Sequence, residues 1–371
     1  MSELYTLIES SDDLHSLAAD LQSESMFALD TEFVWERTYY ARLGLVQVGF
    51  ENGRVALIDT VAVPDLSPLA PLLINENITK ILHDAPQDLM IMRRATGSTS
   101  VNVFDTRLAS GFIGLTSSLS LQNLHIELLD IHLEKHSTRT DWTRRPLSTN
   151  QLSYAVDDVL HLPTLMKLIR EKATELNLSN WLDQEMQSLD RSPRFEDPVP
   201  EEQYLRMKES AFASDSKRAI LYHLASWREY RARELDLPRK RVADDPELSS
   251  VATTQPRSEN DLKSCEKLTP ATKRRYSKQL LQCVEKGLAM KEHEIPPAPF
   301  SPKLRSINRD EAKDLLTRIH TAAETQGVDP QLVATNKDAA FYVHQRNEGN
   351  IEDNPLTTGW RGQLLADTLP A

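Results

Sequence analysis

Apolar and polar positions along the chain change their rhythm near residue 190. Before it, short apolar runs at 26–29, 45–50, 55–58, 79–82 and 101–104 are bounded by turn residues, and at that length they read as strands. Asn52-Gly53, between the second and third runs, is a hairpin signal because both residues tolerate the left-handed backbone of a tight turn. Helical spacing appears at 66–74, 86–96 and 106–114, and again over about 149–172, where Leu152, Ala155, Val156, Val159, Leu160 and Leu162 form the apolar stripe. Ser148 and Gln151 have the spacing of a capping box, and Pro163 predicts a kink or break. Three antiparallel strands followed by strand–helix alternation predict an α/β region, a mixed sheet flanked by helices.

After 190 the strand signal fades. Residues 188–202 hold three prolines among many charges and read as a linker. A helix over 219–235 has an apolar face of Ile220, Leu224 and Trp227, with Arg228, Arg231 and Arg233 on its far side. Asp244-Asp245-Pro246 turns into a short helix with Leu248 and Val251, and 272–287 is another helix. A second proline-rich break at 295–302 precedes a final helical region. The expected organisation is an α/β domain at 1–190, a linker at 191–210, an all-α domain at 211–292, a proline-rich linker at 293–305 and a second helical domain at 306–371.

Candidate chemistry sits in the first region. Asp30 and Glu32 follow an apolar strand, and residues two apart share a strand face. Two carboxylates side by side at the end of a core strand repel each other, and hard divalent cations such as Mg²⁺ or Mn²⁺ relieve that repulsion. Tyr154 and Asp158 are four apart on a predicted helix and point to one face. Asp88 opens the 86–96 helix.

Charge refines the picture. The net charge of −12 argues at first against a nucleic-acid partner. Yet residues 1–190 hold 14 Lys+Arg and 27 Asp+Glu (14 − 27 = −13), whereas 211–290 hold 16 and 11 (16 − 11 = +5). An acidic half suits a metal site and a basic part suits a polyanion. No apolar run approaches a membrane span, and the acidic N-terminus has no signal-peptide core, so the expectation is a cytoplasmic protein without membrane contact. The two cysteines, Cys265 and Cys283, lack metal-ligand spacing and read as reduced thiols.

The constellation resembles the ribonuclease D family, in the tyrosine branch of the DEDD 3′→5′ exonucleases. Asp30 and Glu32 in LDTEFVWERTYYARLGLVQ match the first motif, Asp88 (five residues after His83) the second, and Tyr154 and Asp158 the third. The stretch KHSTRTDWTRRPL at 135–147 also resembles a family segment. The resemblance implies a ribonuclease H-like exonuclease domain, then helical modules of the HRDC type, the last ending near Gly359-Trp360-Arg361-Gly362. It further implies that Asp30 bridges two divalent ions, that Glu32 and Asp158 hold the nucleophile-side ion, and that Asp88 supports the other. Tyr154 would then orient the attacking water. The implied activity is trimming of RNA 3′ ends, tRNA precursors among them, by a monomer. Exodeoxyribonuclease activity and a non-catalytic RNA-binding role are the competing expectations. Expected phosphate contacts are Lys135, Arg139, Arg144 and Arg145, with Arg228 and Arg231 in the helical region, and Phe33, Tyr39 and Trp142 are expected stacking platforms for bases.

Overall fold

A computed structural model describes residues 5–133, 140–190, 192–299 and 308–370. The chain forms two compact units. The first comprises 1–34, 43–196 and 306–371, and the second comprises 35–42 and 197–305.

The first unit is built on a six-stranded sheet. Its strands are β1 (Tyr5–Ile8), β2 (Met26–Val34), β3 (Arg42–Phe50), β4 (Val55–Asp59), β5 (Thr79–Leu82) and β6 (Val103–Asp105), in the order β1-β4-β3-β2-β5-β6. β3 and β4 pair antiparallel through the hairpin at Gly53, whose φ of +84° suits glycine. β1 pairs parallel with β4, β2 with β5, and β5 with β6, so the sheet is mixed as the pattern predicted. Two features differ from the sequence reading. β1 has a single fully buried residue, Ile8, and so no apolar run announced it. β2 also continues to Val34, which places Asp30 and Glu32 within a strand rather than at its end.

The helix Thr149–Leu160 starts on Ser148, whose side chain accepts from the Gln151 N–H in a complete capping box. It stops at His161, and a new helix, Leu162–Glu175, begins with Pro163 in its first turn, where a missing N–H costs nothing. Of the kink or break expected at Pro163, the structure has the break.

Residues 306–371, expected as a second helical domain, fall in the same compact unit as the sheet. The Trp360 indole N–H and the Arg361 guanidinium both donate to Glu185, each at 2.8 Å. Asp329 accepts from the Ser117 N–H at 2.6 Å, and its own N–H donates to the Gly111 carbonyl at 2.8 Å.

The second unit is all-α. Its central helix, Asp215–Glu234, packs Ile220, Leu221 and Leu224 into a core with Val251, Tyr276, Leu280 and Val284. The arginine-rich side of that helix is not a solvent face. Arg228 is 6% exposed and paired with Asp245 at 2.6 Å, because neighbouring elements pack around the helix on more than one side.

Candidate exonuclease active site

β2 delivers Asp30 and Glu32 to one face, and the helix Thr149–Leu160 delivers Asp158 one turn after Tyr154. Carboxylate oxygens of Asp30, Glu32 and Asp158 lie within 4.8 Å of one another. Asp88, in the first turn of Pro86–Thr96, accepts a short hydrogen bond from the Thr31 hydroxyl, and its charge acts on Asp30, Glu32 and Asp158. Gln47, fully buried on β3, donates to Asp30 Oδ2 at 3.2 Å.

Electrostatically the cluster is under strain. Burial and the charges of Asp88, Asp158 and Glu32 hold Asp30 well above the usual carboxylate range. Burial, then Asp158 and Asp88, push Glu32 up to about 9. Burial raises Asp88 and Asp158 to about 7 each. Among the described residues no cationic side chain offsets these shifts. Clustered, buried oxygen donors that resist ionisation fit a hard divalent cation, whose charge reverses each shift. The Tyr154 phenol is likewise raised by burial and by Asp158, Glu32 and Asp30, so it stays protonated.

The other expected site residues are dispersed. Phe33 is half-buried and follows Glu32, and Arg144 is exposed. Lys135 and Arg139 lie outside the described residues. Trp142 is 2% exposed, its ring centroid 6.1 Å from that of Tyr154. The Arg145 guanidinium is committed to Asp59 and to the carbonyls of Gly44 and Trp142. Tyr39 is placed in the core of the second unit, 9% exposed, with its hydroxyl donating to Glu229. Arg228 is buried with Asp245, and Arg231 pairs with Glu234 at 2.7 Å. His83 contacts the Thr106 hydroxyl at 3.0 Å and the Leu119 carbonyl at 3.2 Å, and burial depresses it to about 4.

Sequence reasoning missed Gln47, Thr31 and the Asp59–Arg145 pair. Gln47 had a signal, a lone polar residue inside the apolar strand LVQV. Thr31 and Asp59 had none, since their partners are distant in sequence.

Comparison with known proteins agrees with this architecture. A family model described as a 3′-5′ exonuclease matches residues 5–173, and one described as an HRDC domain matches 217–284. Ribonuclease D of Desulfotalea psychrophila is 34% identical over 361 residues, covering 97% of this chain and 96% of that protein. The chain belongs to the ribonuclease D family. Ribonuclease D of Escherichia coli K12 is 32% identical over 372 residues, covering 98% and 97%. The crystal structure of Escherichia coli RNase D superposes with a TM-score of 0.87 at 31% identity, covering 98% of this chain and 96% of that one. The chain is thus a 3′→5′ exoribonuclease whose exonuclease domain is followed by a helical HRDC domain. Among the described residues no helix is long and apolar enough to cross a membrane.

Proposed function

We propose that this exoribonuclease hydrolyses RNA from the 3′ end by a two-metal-ion mechanism, releasing nucleoside 5′-monophosphates, with Asp30, Glu32, Asp88 and Asp158 as the ligands. The observation that carries this reading is the convergence of three half-buried carboxylates within 4.8 Å with no cationic side chain to offset them among the described residues. Two Mg²⁺ or Mn²⁺ ions bound there would lower the pKa of the attacking water and stabilise charge on the leaving 3′-oxygen. Asp30, beside both Glu32 and Asp158 and steadied by Gln47, suits the bridging position. Glu32 and Asp158 would hold one ion with it, and Asp88, fixed by Thr31, would support the other. Tyr154 orients the water by hydrogen bonding. Its raised pKa keeps the phenol protonated and unable to take a proton from water, which supports orientation over proton abstraction. The aspartates carry the charge, and the tyrosine sets direction.

Escherichia coli RNase D is described as an exoribonuclease involved in structured RNA processing, which supports structured RNA, tRNA precursors included, as the substrate class here. Phe33, next to Glu32 in the chain, and the exposed Arg144 are the side chains assigned to holding the incoming strand. The reading carries with it a monomeric, cytoplasmic enzyme. End-labelled single-stranded RNA and DNA, incubated with Mg²⁺ or Mn²⁺, test the activity. Stepwise loss of mononucleotides from the RNA 3′ end is expected. Shortening of DNA alone would make the chain a deoxyribonuclease, and shortening of neither would leave an RNA-binding protein. Tyr154→Phe should lower kcat by at least about tenfold while Mn²⁺ binding is kept. An unchanged kcat removes the role given to the phenol.

A further inference from the structure

The stretch 135–147 holds a tryptophan set in an unusual frame. Trp142 is 2% exposed, and its indole packs against the Tyr154 ring at 6.1 Å between centroids. Its N–H is fully buried and reaches no acceptor at normal hydrogen-bond geometry. Buried unpaired donors are rare, and one beside a reactive centre points to a role there.

The backbone of Trp142 is clamped. Arg145 grips both oxygens of Asp59, donating from Nη2 at 2.6 Å and from Nε. Nη2 also donates to the Gly44 carbonyl at 2.7 Å, and Nη1 donates to the Trp142 carbonyl at 2.8 Å. Asp59 ends β4 and Gly44 lies in β3, so one guanidinium ties Trp142 to two strands of the sheet. The approach is close enough that a Cβ at Gly44 would run into the Trp142 carbonyl. Asp141 completes the turn by accepting from the Thr143 N–H at 3.1 Å and its hydroxyl at 2.6 Å.

We propose that Trp142 is a positioning residue for the exonuclease site. Held by the Arg145–Asp59–Gly44 clamp, it fixes the Tyr154 ring by packing. This rests on the reading above that Tyr154 serves the reaction. Trp142 has no open ring face for a base, so its loss acts on turnover and not on RNA affinity.

The test compares the full-length wild type with Trp142→Phe, which sets a smaller ring against Tyr154, and with Glu32→Gln. For single-stranded RNA, kcat of Trp142→Phe should fall by about tenfold or more with KM within about twofold. Mn²⁺ binding to the metal-free protein, followed by calorimetry, should stay within about twofold of wild type, because Tyr154 is not a ligand, and a loss of about tenfold would overturn the proposal. A raised KM with unchanged kcat would make Trp142 a base platform and overturn the proposal. Unchanged kcat, KM and Mn²⁺ affinity would reduce it to packing and overturn the proposal as well. If Trp142→Phe does not fold, Arg145→Lys, which keeps the charge and breaks the two-oxygen grip, decides: a kcat-selective loss supports the clamp, and wild-type kinetics refute it. An inactive Glu32→Gln beside a fully active Trp142→Phe sinks this inference alone. A fully active Glu32→Gln sinks the site reading beneath it.

Discussion

Both compact units bury carboxylates, and they treat them in opposite ways. In the second unit the Glu229 side chain is fully buried and is gripped by Arg233 at 3.0 Å, by Arg239 and by the Tyr39 hydroxyl. Burial raises its pKa, but the arginines and the tyrosine outweigh it, and the net shift is downward. In the first unit Asp30, Glu32, Asp88 and Asp158 sit together without a cation among the described residues, and all four shift upward. A fold that needed only stability would compensate or remove such a cluster. The difference separates a charge buried to hold structure from charges buried to hold something else.

The largest expected effect comes from breaking the uncompensated cluster. Asp30→Asn should lower exonuclease activity by at least about a hundredfold, because it removes the bridging ligand. The same change should raise the thermal midpoint of the metal-free protein, since a neutral amide avoids the cost of placing a carboxyl where burial and neighbouring acids raise its pKa. A lowered midpoint would mean that the cluster is not strained. The compensated carboxylate should behave in reverse. Glu229→Gln leaves the half-buried Arg233 and Arg239 against a neutral amide and should destabilise the protein by about 3 kcal/mol in a denaturant titration. A neutral result there would erase the contrast between the units.

A smaller, graded effect lies in the pH dependence of the metal-free protein. Glu32 rises from 4.5 to about 9 on folding, so across that window the folded protein keeps a proton that the unfolded chain has released. Its stabilising contribution is full below 4.5 and is lost as pH climbs towards 9. Glu229 is shifted below 4.5, so its contribution is present above that value and fades as pH falls through its folded pKa. Melting curves from neutral to alkaline pH should therefore show a falling midpoint, and Glu32→Gln should flatten the fall. A slope unchanged by Glu32→Gln would show that another group sets it.

Legibility in the sequence followed locality. The capping box at Ser148, the hairpin at Gly53 and the one-turn spacing of Tyr154 and Asp158 are local patterns, and the structure holds each of them. β1 was invisible because a largely solvated strand leaves no apolar run. Tyr39 shows a different failure. It stands in the first-motif stretch, seven residues after Glu32, yet its ring belongs to the core of the other unit. Arg145 and Arg228 looked like free cations because their partners, Asp59 and Asp245, are far away in the sequence. Motifs located the acids; the partners that fix or neutralise a side chain were set by tertiary packing.

Calorimetric titration of the metal-free chain with Mn²⁺, wild type against Asp30→Asn, probes the uncompensated cluster most directly. Wild type should take up two ions per chain near neutral pH and release protons as it does so, because Glu32, raised to about 9, holds a proton there without metal. Asp30→Asn should lose at least one of the two ions together with part of the proton release. Equal stoichiometry and affinity in the two proteins would contradict the assignment of this cluster as the metal centre.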